Sequence, residues 1–189
     1  MVTLSAGTIE AEVVIDMATA DTDAAGRLNA ELWLRFGAEA WPRWGWRDSA
    51  AVTLRWWLAE LRRLMKQKSE QATLSFADGP YEIAIKQVGR HSIRMETIRT
   101  DARDTHAPTT YVVRLDRFAR STCAAAHRVV LECRGRRWMN DIEELDHGLA
   151  LVQGSLNERF PRRPGSGSMQ RISVPPSGKS RSTIPGTRG

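Results

Sequence analysis

Cys123 and His127 stand four residues apart, the spacing at which one helix face can offer a thiolate and an imidazole to the same metal ion. Zinc sites take three or four such ligands. No second pair accompanies this one, so an ordinary helix surface is expected and no metal is predicted. His91, His106 and His147 are scattered, without a nucleophile or carboxylate at a spacing that would engage them. The chain has no glycine-rich phosphate loop, no His-Glu-x-x-His helix and no paired-cysteine knuckle. These absences predict a protein that is not an enzyme and holds no cofactor. The Arg-Gly-Arg-Arg-Trp run at 134–138 could touch phosphate. A basic helix C-terminus facing its own dipole accounts for its arginines, with Trp138 tucked beneath the following helix.

The residues best suited to binding lie in AEAWPRWGWRDSAA, 38–51, where Trp41, Trp44 and Trp46 fall within six residues. Each indole carries about 150–250 Å² of buriable surface, so the three together hold about 450–750 Å². The largest apolar patch on a typical monomer is about 300–600 Å². A fully buried ring is worth up to about 4–6 kcal/mol at about 25 cal/mol/Å², so at least one ring must pack inward. Trp41, beside Pro42, is the expected lid of the core. Trp44 and Trp46 with Arg43 and Arg47 are the expected anchor for a protein partner, because Trp and Arg dominate interface hot spots. Trp56, which sits almost opposite the apolar stripe of its helix, joins them. Two other readings stay open: all three rings close the core, or the aromatic and guanidinium groups stack single-stranded bases.

Charge separates the chain into two parts. The net charge of +6 comes entirely from residues 158–189, where seven basic residues meet one acid. Residues 1–157 hold 21 basic and 21 acidic residues and are neutral. That body lacks the basic face of a nucleic-acid binder, so a nucleic-acid partner enters only as an alternative, through the tail and the Trp-Arg loop. The tail is rich in Pro, Gly, Ser and Arg and is predicted to be disordered, leaving 1–157 as one domain. The N-terminus does not read as a signal peptide and no run approaches 18 apolar residues, so a cytoplasmic protein without a membrane span is expected. Cys123 and Cys133, ten residues apart on one helix, are about 15 Å apart along its axis and are expected to be reduced thiols.

The elements that must position these residues follow from periodicity. Residues 7–17 and 27–36 alternate as strands, the second with Leu28, Ala30, Leu32, Leu34 and Phe36 on one face, and the two pair as a hairpin. A helix follows, capped by Asp48 or Ser49, with Leu54, Trp57, Leu58, Leu61, Leu64 and Met65 as its stripe. Four strands come next, at about 72–76, 81–88, 91–98 and 109–115. A helix from about Arg117 to Arg134, closed by Gly135, buries Phe118, Thr122, Ala125, Val129 and Cys133. The last helix begins at Asn140, with Glu143 at capping-box spacing, and buries Ile142, Leu145, Leu149 and Val152. The order β-β-α-β-β-β-β-α-α predicts an α+β protein: an antiparallel sheet of about six strands with helices packed on one face.

This layout, with the GPYEIAI and GRHSI strand pattern and the RLDRF helix entry, resembles small bacterial domain families similar to the WapI-type immunity proteins of polymorphic toxin systems. The likeness covers about residues 7–134; the last helix and the basic tail have no clear place in it, and the Trp-rich insertion is longer and more aromatic than its pattern leads one to expect. It implies a cytoplasmic, non-enzymatic protein that binds and blocks a cognate toxin domain. No individual functional residue is carried over by it. The acids Glu10, Glu12, Asp16, Asp21, Asp23 and Glu31 would suit a basic toxin surface, although a solvated strand face is the better explanation for most of them.

Overall fold

A computed structural model describes residues 4–101, 107–136 and 142–161 of the 189-residue chain. Its order is β1 (Leu4–Ile9), β2 (Ala11–Thr22), β3 (Leu28–Phe36), β4 (Glu39–Trp41), β5 (Arg47–Ser49), α1 (Ala50–Met65), β6 (Gln71–Ser75), β7 (Tyr81–Gln87), β8 (Ser92–Arg99), β9 (Thr110–Arg114), α2 (Leu115–Arg136) and α3 (Ile142–Arg159). The class is α+β. The expected Asn140 cap, Trp138, His106 and the tail from 162 lie outside the described residues.

The strands form two sheets rather than the single one expected. One has the order β1-β9-β8-β7-β6; in the other, β2 pairs one edge of β3 while β4 and β5 both pair the opposite edge. All pairs are antiparallel except β1 with β9, which is parallel. The segment expected as one strand at 7–17 is shared between the sheets, leaving the first after Ile9 and entering the second at Ala11. Its alternation continues across that corner, with Ala11, Val13 and Ile15 buried. A period of two records which face is apolar and carries nothing about which strand lies alongside.

The inner faces of both sheets and the three helices share one core. Every apolar position expected on β3, α1, α2 and α3 is buried in it. Rings join the sheets: Phe36 of β3 stacks on Tyr111 of β9 at 4.1 Å between centroids, and Trp41 of β4 meets Tyr81 of β7 edge-on at 5.6 Å. Trp57 of α1 donates its indole N–H to the Ser75 carbonyl (2.8 Å), fastening the helix to β6. The free edge of β2 is covered by α2, where the Val13 N–H donates to Ser121 Oγ at 2.8 Å. α2 reaches Arg136, so Gly135 lies within the helix rather than closing it.

α3 runs to Arg159, past the expected boundary at 157, and Phe160 is buried. Arg159, counted by charge with the tail, instead ties the helices together. Its Nη1 donates to the Leu64 (2.8 Å) and Met65 (3.0 Å) carbonyls at the end of α1, and Nη2 to the Arg90 carbonyl (3.2 Å). A guanidinium satisfying last-turn carbonyls is a C-cap supplied from another element. Arg159→Ala is therefore expected to lower unfolding free energy by about 1–3 kcal/mol, read as a shifted urea midpoint.

Candidate partner-binding surface

The Trp-rich segment is the interrupted third strand of the smaller sheet. Leu34 pairs with Trp41, and Glu31 pairs with Arg47. Two residues on β3 thus face five on the other strand, so three residues are extra and the chain between β4 and β5 must leave the sheet plane. Strand alternation then decides the indoles on either side. Trp41, opposite Leu34, faces inward and is 7% exposed, the lid expected. Trp46 also faces inward: its carbonyl accepts the Leu32 N–H at 2.6 Å, and its ring meets Tyr81 edge-on at 4.8 Å. Trp46 was expected beside Trp44 as an anchor, yet it is half-buried and covered by Arg43, whose guanidinium lies 5.4 Å from the ring centroid.

Trp44 takes the opposite course. It stands at the crest of the bulge, 56% exposed, with its ring edge-on to Trp33 at 6.1 Å. Trp33 lies on the outer face of β3, directly opposite Val14 of β2. Val14, Trp33 and Trp44 therefore make an apolar centre on a face that alternation otherwise fills with polar groups. The Trp33 indole N–H is buried and has no hydrogen-bond partner among the described residues. Around this centre lie Glu12, Asp16, Asp21 and Glu31 against Arg35 and Arg47, an acidic balance. Arg35 pairs with Glu12 and Arg47 with Asp21. Arg47 also donates to the Thr19 carbonyl at 3.1 Å, so this expected anchor is engaged within its own sheet. Trp56 is 43% exposed on α1 and makes no ring contact with Trp44, so the structure does not join the two into one cluster.

The bulge depends on Gly45. Its φ is +63°, and a Cβ there would lie 3.2 Å from a Glu31 carboxylate oxygen. Gly45→Ala is expected to cost about 1–2 kcal/mol of stability in thermal or urea unfolding, from left-handed backbone strain and displacement of Glu31.

Beneath the bulge, Asp48 of β5 anchors the strand to α1. Ser49 is the N-cap residue, but its side chain caps nothing; its Oγ lies 3.0 Å from Asn29 Oδ1 and 2.9 Å from Asp78 Oδ2. The buried Asp48 carboxylate does the gathering. Oδ1 accepts from Ser49 N (2.7 Å), Thr53 Oγ1 (3.0 Å), Ala77 N (3.1 Å) and Asp78 N (3.1 Å), and Oδ2 from Trp46 Nε1 (3.3 Å). Burial raises its carboxyl to about 6, while the Thr53 and Trp46 donors pull it down and the Asp78 charge adds to the rise. Sequence reading had Asp48 only as a cap and gave Trp33 no role. Trp33 did carry a signal, an indole on the polar face of a strand that otherwise reads Asn29, Glu31 and Arg35. Asp48 carried none beyond its cap position, because two of its five donors, Ala77 N and Asp78 N, come from a turn about thirty residues away.

Elsewhere, Cys123 and His127 share α2, and Cys123 is buried with its thiol pushed up to about 12 by burial, against the pull of Arg120. Cys133 is also free and buried, its thiol raised to about 11. Among the described residues no three or more His, Cys, Asp or Glu side chains gather as metal ligands. No described helix is long and apolar enough to cross a membrane. Arg134 and Arg136 pair with Asp146 and Glu132.

Fold and surface together define an α+β protein with an everted indole on the outer face of its smaller sheet. Compared with protein-family profiles, curated proteins and solved structures, the chain finds no match.

Proposed function

We propose that this protein is a non-enzymatic binding module that docks a partner protein on the outer face of β2–β3, with Trp44 as the anchor. The observation that carries the reading is the three-residue excess opposite β3, which everts Trp44 onto Trp33 instead of burying it. An apolar centre inside a charged rim is the anatomy of an interface hot spot. The acidic rim selects a partner with basic side chains around an apolar recess, since complementary potentials favour encounter and reject like-charged surfaces.

The resemblance to immunity proteins gives that partner a class: a cognate bacterial toxin domain, neutralised in the cytoplasm. The test is co-expression with the polypeptide encoded by the neighbouring upstream reading frame. Wild-type chain should protect cells and co-purify with that polypeptide, and Trp44→Ala should do neither while remaining folded. Protection by the Trp44→Ala chain would remove this face from the account.

A further inference from the structure

α2 and α3 pack together and leave a second concavity of about 550 Å³ between them. The α2 side presents Arg120 and His127, two turns apart on one helix face; the α3 side presents Gln153 and Asn157. Cys123 and Leu156, both nearly inaccessible, form the floor. No carboxylate is among the described residues that line it.

Arg120 differs from three other arginines of α2. Arg117, Arg134 and Arg136 on the same helix are each held by an acid, Glu10, Asp146 and Glu132 respectively. Arg120 is half-buried and has no carboxylate partner among the described residues. Its one hydrogen bond among the described residues, Nη2 to the Phe160 carbonyl at 3.2 Å, fixes the guanidinium at the cleft and leaves its other N–H donors available. A cation removed from its usual partners, beside an imidazole and two carboxamides, is a donor set suited to a planar or tetrahedral oxyanion. The neutral Cys123 thiol beneath adds no negative charge to oppose one. The volume falls within the range of about 300–1,000 Å³ typical of small-molecule sites.

We propose that the α2–α3 cleft binds a small oxyanion, a phosphate or a carboxylate, through Arg120, His127, Gln153 and Asn157. This site is separate from the Trp44 face and independent of any protein partner.

The test titrates the full chain with inorganic phosphate and, separately, with citrate. NMR follows the His127 ring and the Gln153 and Asn157 side-chain amides in wild type, Arg120→Gln and Ala124→Glu. Ala124 is an exposed residue of the cleft wall, one turn from Arg120. Glutamate there supplies the missing carboxylate at an exposed position while keeping the Arg120 side chain, so its effect is separable from a folding defect. The expected result is saturable binding of at least one anion, weakened at least tenfold by both substitutions. Phosphate alone would mark a phosphate-ester ligand, and citrate alone a carboxylate ligand. No saturable shift with either anion, or shifts unaltered in Ala124→Glu, would overturn the proposal.

Discussion

Asp48→Asn is expected to change the pH dependence of folding by about 2 kcal/mol between pH 4 and 7. Asp48 has a folded-state pKa of about 6 against 3.8 for the free side chain, because burial disfavours the charged form. A group whose folded pKa is raised binds its proton more tightly in the native chain. Its stabilising contribution is complete below the unfolded value and is lost as pH rises through about 6. Asparagine retains an oxygen to accept from Ser49, Thr53, Ala77 and Asp78 but places an N–H₂ against Trp46 Nε1, so it forfeits roughly one hydrogen bond of about 1 kcal/mol. Wild type should therefore be the more stable at pH 4, and the Asn variant should gain on it steadily towards pH 7. Urea unfolding at pH 4, 5.5 and 7 measures the difference, and a pH-independent gap would show that Asp48 titrates normally. Asp48→Ala, which leaves the Asp78 N–H and Trp46 Nε1–H donors without their acceptor, should be destabilised at every pH by about 3 kcal/mol or more.

Trp44→Ala should have the opposite profile, a small effect on folding and a large one on binding. The ring is 56% exposed and its ring contact is edge-on with Trp33 on the outer face, so its loss should cost no more than about 1 kcal/mol of stability. At the centre of an interface, truncating a tryptophan typically costs about 2–4 kcal/mol, a loss of about 30- to 1,000-fold in affinity. Trp46→Ala is the informative contrast. Its ring packs on Tyr81, sits under Arg43 and donates to Asp48, so it should damage folding first. The two indoles lie two residues apart, and only the bulge separates their roles.

The helices were legible in the sequence because a 3.6-residue stripe repeated over three or more turns leaves little choice of face. Every residue from Leu54 to Met65 expected in the core is there, and Trp56 is outside it. β3 was legible for the same reason at period two. The division into two sheets was not, since the parallel pairing of β1 with β9 joins residues about a hundred positions apart. β4 and β5 were hidden because three-residue strands around Pro42 and Gly45 are too short to show a period. Trp41 was placed correctly because area required one inward ring and this one precedes Pro42, whereas the inward turn of Trp46 required the register against Leu32. The acidic N-terminal residues read as a solvated face proved largely paired, Glu10, Glu12, Asp21 and Asp23 each with an arginine. Exposed pairs of that kind contribute little to stability and leave the rim's charge available for encounter.

The most direct measurement is a calorimetric titration of the polypeptide from the upstream reading frame into wild-type and Trp44→Ala chains, with thermal unfolding of both recorded alongside. The account predicts that wild type binds, that Trp44→Ala binds at least about 30-fold more weakly, and that the two melt within a few degrees of each other. Equal affinities, or a Trp44→Ala chain that no longer folds, would contradict it.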